Sequence, residues 1–90
     1  MAIEIGNRVR SFDFAEGPEG RAITGERACY VEGTVIGIEE VEGCNRYRIW
    51  VDRDIFQGKE LENRVATYVF PPVNGTPTFF SGDTDYVELV

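Results

Sequence analysis

Residues 29–54 read CYVEGTVIGIEEVEGCNRYRIWVDRD, and this stretch decides the fold. Its two halves, 29–42 and 45–54, are rich in β-branched and aromatic residues, which favour extended backbone. Gly43 and Asn45 lie between them and are residue types that permit a chain reversal. The stretch therefore predicts a long antiparallel hairpin.

Side chains alternate along the return half of this hairpin. Because successive side chains of a strand point to opposite faces, we expect Tyr47, Ile49 and Val51 to face the core. The outward face then carries three polar residues and one aromatic: Arg46, Arg48, Trp50 and Asp52. A tryptophan between arginines is typical of a surface, not of a core.

Two glycines, Gly33 and Gly37, lie inside the first half of the hairpin. Glycine inside a strand marks a bulge, a bend or the close approach of a neighbour. A long strand with two such points is what a small barrel needs in order to curve.

The rest of the chain supplies short extended segments separated by loops. A first strand is expected near Val9, and later strands at 65–70 and 85–90, the last with Val87 and Leu89 inward. The charged connection 54–64 breaks at Gly58, and its KELEN run is compatible with a single helical turn.

Together these elements predict one all-β domain spanning residues 1–90. We expect a small, strongly bent, SH3-like barrel of five to six strands, with a long proline-rich loop.

The charge and residue content restrict the function. A formal charge of −7 and a pI near 4.5 predict repulsion from nucleic acid and anionic membranes, so neither is an expected partner. The chain has no histidine, which removes the commonest general base and metal ligand. No apolar signal or membrane-spanning run occurs, so we expect a cytoplasmic protein with reduced thiols at Cys29 and Cys44. No cofactor or metal is expected.

The first candidate site is the arginine patch on the outward face of the hairpin. It consists of Arg46, Arg48 and Trp50, with Arg53 nearby. Guanidinium groups bind phosphate or carboxylate, and an indole ring stacks on planar groups. Alternatively, the arginines pair across the hairpin with its own glutamates at positions 39, 40 and 42.

The second candidate site is the loop Phe70–Gly82, FPPVNGTPTFFSG. Its side-chain donors and acceptors are Asn74, Thr76 and Thr78. Alternatively, the loop wraps the barrel, and one of its phenylalanines plugs an open end.

Acid pairs form a weaker candidate. Asp52 and Asp54 stand two apart on an expected strand, hence on one face, as do Asp83 and Asp85 if that segment is extended. In a chain of this charge, solvated acids are the simpler interpretation.

Several motifs resemble known families. Gly6–Arg10, Val31–Gly37 and Tyr47–Ile49 together resemble a pattern of SH3-like barrels such as Tudor, KOW and type II dihydrofolate reductase chains. The reductases place their active residues in a V-Q-I-Y segment, whereas this chain has DYVE at 85–88, so the resemblance does not imply that activity.

Taken whole, the chain is similar to small accessory proteins of tailed phages. The matching features are Arg10–Phe14, Cys29–Gly33 and Pro71–Thr78. This resemblance implies a viral accessory gene that interferes with a host factor, and it supplies no catalytic residue.

The expected function is that of a non-enzymatic binding module that forms homo-oligomers. Its partner is either a small anionic, nucleotide-like ligand held between the arginine patch and the Thr76–Thr78 loop, or a host protein docked on the acidic surface. Two further alternatives are an enzyme built in an oligomer pore with carboxylate or tyrosine chemistry, and a structural protein of the virion.

Overall fold

The computed structural model describes residues 3–13, 29–41, 44–74 and 86–90. Its strands are β1 (Arg8–Ser11), β2 (Cys29–Val41), β3 (Cys44–Phe56), β4 (Lys59–Leu61), β5 (Tyr68–Val69) and β6 (Val87–Leu89). They form one antiparallel sheet in the order β4-β3-β2-β1-β6, and β5 pairs with β3. The described residues contain no helix, which confirms the all-β prediction. It follows that none of them belongs to a helix long and apolar enough to cross a membrane.

The β2–β3 hairpin forms most of the sheet, as the sequence predicts. Its pairing extends from Cys29 opposite Phe56 to Val41 opposite Cys44. The register shifts twice, between Glu32 and Gly33 and again between Val35 and Gly37. A bulge adds a residue to one strand and bends the pair. Both predicted glycine positions therefore coincide with the points where the sheet curves.

Gly33 is required because the two backbones meet closely at the first bulge. A Cβ atom at this position would overlap the carbonyl oxygen of Trp50. At Gly37 the nearest atom to an added Cβ is the Cβ of Arg48 at 3.9 Å, an ordinary contact. Only the first of the two glycines is therefore fixed by a steric constraint.

The first bulge also changes which side chains face inward. Glu32 pairs with Arg53 and Gly33 with Val51, so Asp52 has no partner residue in the register. Asp52 is exposed, whereas Asp54 is buried. The prediction that these two carboxylates share a face is wrong, because the extra residue interrupts the alternation.

The core lies on the concave side of the bent sheet. The alternation predicted for β3 is confirmed, because Tyr47, Ile49 and Val51 are buried. They pack with valines from the neighbouring strands: Val9, Val31, Val35, Val69 and Val87. Burial raises the pKa of the Tyr47 phenol, which favours its neutral form in the core.

Segment 54–70 differs from the prediction in two places. Gln57 and Gly58 both have positive φ, at 50° and 79°, which closes a tight β3–β4 hairpin. The KELEN run, which was considered as a helical turn, begins with strand β4. The strand expected over 65–70 contains only Tyr68–Val69, because Ala66 turns the chain at a φ of 62°. At the end of β6, Leu89 is exposed instead of inward.

The proline-rich segment after β5 closes the structure. Pro71 accepts a hydrogen bond from the Tyr47 amide, and Val73 donates one to the Asn45 carbonyl, at 2.9 and 3.0 Å. The Asn74 amide then bonds both backbone groups of Val87 in β6, donating to its carbonyl at 2.7 Å and accepting from its N–H at 3.3 Å. One side chain thus links the segment along β3 to the opposite end of the sheet, which gives the bent sheet a barrel-like form.

Substitution at Gly33 tests the close approach of β2 and β3. We expect Gly33→Ala to destabilise the protein by about 2–3 kcal/mol, because overlap with the backbone forces the strands apart. Gly37→Ala is the matched control, and we expect a change within about 0.5 kcal/mol. Urea denaturation measures both. Equal losses for the two variants would contradict the steric explanation.

Candidate functional site

The outward surface of β3 and β5 carries a cluster of aromatic rings with one arginine. We call it the aromatic face, and it consists of Arg48, Trp50, Tyr68 and Phe70. Phe70 is only 8% exposed, and its ring centroid lies 6.5 Å from that of Tyr68. The β3–β5 register places Trp50 directly opposite Tyr68. Their ring centroids are 4.9 Å apart at 62°, an edge-to-face contact, and each residue is 39% exposed. The fold thus holds two large rings in contact with each other and with solvent.

Arg48 packs on the rings of the same face. Its guanidinium carbon lies 5.0 Å from the Tyr68 centroid and 5.9 Å from that of Phe70. Both distances fall within the range of cation–π attraction. Its NH1 group also forms an ion pair with Glu39 at 3.4 Å, while its Nε has no hydrogen-bond partner. Arg48 is therefore oriented by the rings and only partly compensated.

An open groove lies beside this face. It has a volume of about 430 Å³, and the described residues that line it are Asn63, Thr67, Tyr68 and Phe70. Tyr68 belongs to both features, because its ring contacts Trp50 and Arg48 and also forms part of the groove. The ring of Tyr68 is therefore the centre of the candidate site.

Arg46 has a different environment from Arg48, although the two were predicted together. It is 7% exposed, and its NH1 donates a hydrogen bond to the Phe70 carbonyl at 2.7 Å. The backbone of Arg46 also bridges to Pro72. Arg46 thus holds the segment after β5 against β3 and fixes the position of Phe70.

Arg53, the other predicted arginine, belongs to a separate group of charges. Its Nε donates to Glu60 at 2.7 Å, and its NH1 lies 3.5 Å from Glu32. The hydrogen bond that Arg53 donates to Glu60 raises the pKa of Arg53. The alternative considered for the patch was pairing with the glutamates at positions 39, 40 and 42. Arg53 pairs with none of these in the described contacts, whereas Arg48 pairs with Glu39.

The centre of that group is Glu32, whose side chain is only 4% exposed. Arg10 donates two hydrogen bonds to one carboxylate oxygen, at 2.7 and 2.9 Å. Arg8 and Arg53 each lie 3.5 Å from the other oxygen. We call these four residues the Glu32 cluster. Because strands β1, β2 and β3 each contribute to it, the cluster ties them together on the outward face.

Arg8 extends the Glu32 cluster to the bulge residue. It donates two hydrogen bonds to Asp52, at 2.7 and 2.8 Å. These bonds lower the pKa of Asp52, so the pair contributes stability above the ordinary aspartate pKa and loses it as the pH falls. Since Asp52 is half exposed, that contribution is small.

The second predicted site falls largely outside the described residues. Thr76 and Thr78 lie there, as do Asp83, Asp85 and the side chain of Cys44, so those predictions stay predictions. Asn74 is described and uses its amide to bond Val87. Cys29 is buried.

Sequence reasoning missed Tyr68, Phe70, Asn63 and Thr67. Tyr68 is exposed and its neighbour Val69 is buried, but the sequence does not show which strand lies beside them. The pairing with Trp50 depends on the turn at Ala66, a residue that seldom adopts positive φ. No local sequence signal marks that turn.

Among the described residues, no group of three or more cysteine, aspartate or glutamate side chains is placed to hold a metal ion. Comparison of the chain with protein-family models, curated proteins and solved structures gave no match.

The Glu32 cluster gives a stability prediction. We expect Glu32→Gln to destabilise the protein by about 3 kcal/mol, because it leaves three guanidinium groups around a buried neutral amide. Glu60→Gln, on the exposed side of Arg53, is the control and should cost less than about 1 kcal/mol. Thermal and urea unfolding measure both. A Glu32→Gln protein as stable as its control would show that the cluster does not hold the strands together.

Proposed function

We propose that this protein is a non-enzymatic binding module whose recognition surface is the aromatic face. The observation that carries the proposal is the environment of the Tyr68 ring. Trp50 contacts it edge to face, Arg48 stands over it at 5.0 Å, and the open groove begins beside it. Exposed aromatic clusters with an oriented cation are characteristic of binding surfaces.

The chemistry of this face fits a small anionic, nucleotide-like ligand. Indole and phenol rings stack on planar bases whatever their identity. A guanidinium forms strong, charge-assisted hydrogen bonds with phosphate oxygens. Trp50, Tyr68 and Arg48 supply these groups within one surface, so a planar ring and an attached phosphate are bound together.

Glu39 competes with the ligand for Arg48. Its carboxylate lies 3.4 Å from the NH1 of Arg48 and offers the same charge as a phosphate. A bound phosphate has to share or replace this contact, because the Nε of Arg48 is buried and does not reach a ligand. Glu39 therefore sets how tightly the face holds an anion.

The second candidate is docking of a host protein on the same face. Exposed tryptophan, tyrosine and arginine are also the residues that dominate protein–protein interfaces. The resemblance to phage accessory proteins supports a host factor as that partner, in the host cytoplasm. Under either candidate we propose that copies of the chain form a homo-oligomer. A mass in solution equal to that of one chain would overturn the proposal of an oligomer.

Binding of adenosine monophosphate, measured by calorimetry and by thermal shift, tests the ligand proposal. We expect Arg48→Ala to weaken binding about tenfold, because a charge-assisted hydrogen bond contributes about 1.5–3 kcal/mol. Glu39→Gln should strengthen it about two- to fivefold at low salt, since a competing carboxylate is removed.

Lys59→Ala is the control, because it removes one exposed positive charge from β4, away from the aromatic face. We expect it to leave the affinity within about twofold of the unmodified protein. Equal weakening by Lys59→Ala and Arg48→Ala would mean that the effect is one of net charge alone. Turnover of the nucleotide during the titration would favour the enzyme alternative.

A further inference from the structure

The turn that carries Asn63 and Thr67, two of the residues that line the groove, is held in a fixed conformation. Ala66, at a φ of 62°, occupies a left-handed conformation that is unfavourable for a residue with a side chain. Two backbone hydrogen bonds with Val51 hold this turn in place. The Ala66 N–H donates to the Val51 carbonyl at 2.8 Å, and the Val51 N–H donates to the Thr67 carbonyl at 2.9 Å. Strain of this kind persists where the surrounding structure demands it, and it is concentrated at functional sites.

A buried carboxylate secures the other end of the same turn. Asp54 accepts a hydrogen bond from the Arg64 amide at 3.2 Å, and its oxygen lies 3.8 Å from the Arg64 guanidinium. Asp54 is buried because the first bulge turns it inward. The turn that carries Asn63 and Thr67 is therefore attached to β3 at two points, so the groove is formed before any ligand arrives.

The groove combines an aromatic wall with a polar rim. Tyr68, which is 39% exposed, and Phe70, which is 8% exposed, form the wall. The volume of the groove, about 430 Å³, lies in the range of small-molecule sites. The Thr67 hydroxyl donates its proton to the Arg64 carbonyl at 2.6 Å, which leaves its oxygen as an acceptor. Within the described part of the chain, the Asn63 amide bonds to nothing and offers both a donor and an acceptor.

The charge near the groove limits the ligand to a low charge. Arg48 is the cation that stands over the two wall residues, and it already shares its charge with Glu39. The whole chain carries −7, so each further negative charge on a ligand is repelled. A single phosphate can be neutralised at Arg48, whereas a triphosphate cannot.

From these observations we infer that the groove is a nucleobase subsite: the base lies against Tyr68 and Phe70, Asn63 reads its polar edge, and a single phosphate reaches Arg48. The ligand class is accordingly a nucleotide of low charge with a preferred base. This inference rests on the proposed function, which requires only the aromatic face and Arg48, and it adds base selectivity to that function.

Calorimetric titration with the monophosphates AMP, GMP, CMP and UMP tests the inference. We expect the unmodified protein to prefer one base about fivefold or more, because one neutral hydrogen bond contributes about 1 kcal/mol. Asn63→Ala should compress the four affinities to within about twofold, while ATP should bind no tighter than AMP. Glu62→Gln, an exposed neighbour on the same turn, should leave the preference unchanged.

The outcomes separate the two levels of the proposal. Monophosphate binding that depends on Arg48 but shows no base preference, or a preference that Asn63→Ala leaves intact, overturns the groove subsite and leaves the aromatic face as the binding surface. Tighter binding of ATP than of AMP overturns the low-charge ligand class. Failure of all four monophosphates to bind the unmodified protein overturns both the subsite and the nucleotide-like ligand.

Discussion

The close approach of two backbones at Gly33 is the constraint on which the rest of the structure depends. Because Gly33 has no side chain that would overlap the Trp50 carbonyl, the long hairpin can bulge there. The bulge turns Asp52 outward, where Arg8 binds it, and Asp54 inward, where it holds the turn before β5. Strand β5 follows that turn, and its register places Tyr68 opposite Trp50. The aromatic face is thus a consequence of one steric requirement in the neighbouring strand.

The same bend divides the outward surface into two regions of different chemistry. On β1, β2 and the second half of β3, the Glu32 cluster pairs charges with one another. On the first half of β3 and on β5, Arg48 has the rings of Tyr68 and Phe70 beside it and a single carboxylate, that of Glu39. Arginines within one short sequence therefore differ in function. Arg46 and Arg53 support the fold, and Arg48 faces solvent beside the rings.

The sequence was sufficient for the fold class and for the inward residues of β3, because a strict alternation and two strand glycines are local signals. It was insufficient for positions where one residue changes the register. The alternation placed Asp52 and Asp54 on the same face, and the bulge puts them on different ones. Nothing in the sequence around Ala66 indicates its positive φ. The groove could not be predicted for the same reason, since Asn63, Thr67 and Tyr68 meet only after that turn is made. For the candidate site, the residue types identified Arg48 and Trp50, but the sequence did not show which side chains lie beside them.

Binding of a nucleotide-like ligand at the aromatic face can be followed directly at the single tryptophan of the chain. In a proton–nitrogen correlation spectrum, Trp50 gives the sole indole signal, which is followed during titration with AMP. We expect a saturable shift of that signal and of the amide signals of Arg48 and Tyr68, while the amide signal of Lys59 stays in place. An indole signal that does not move at saturating AMP, or shifts confined to strands away from β3 and β5, would show that AMP does not bind at the aromatic face.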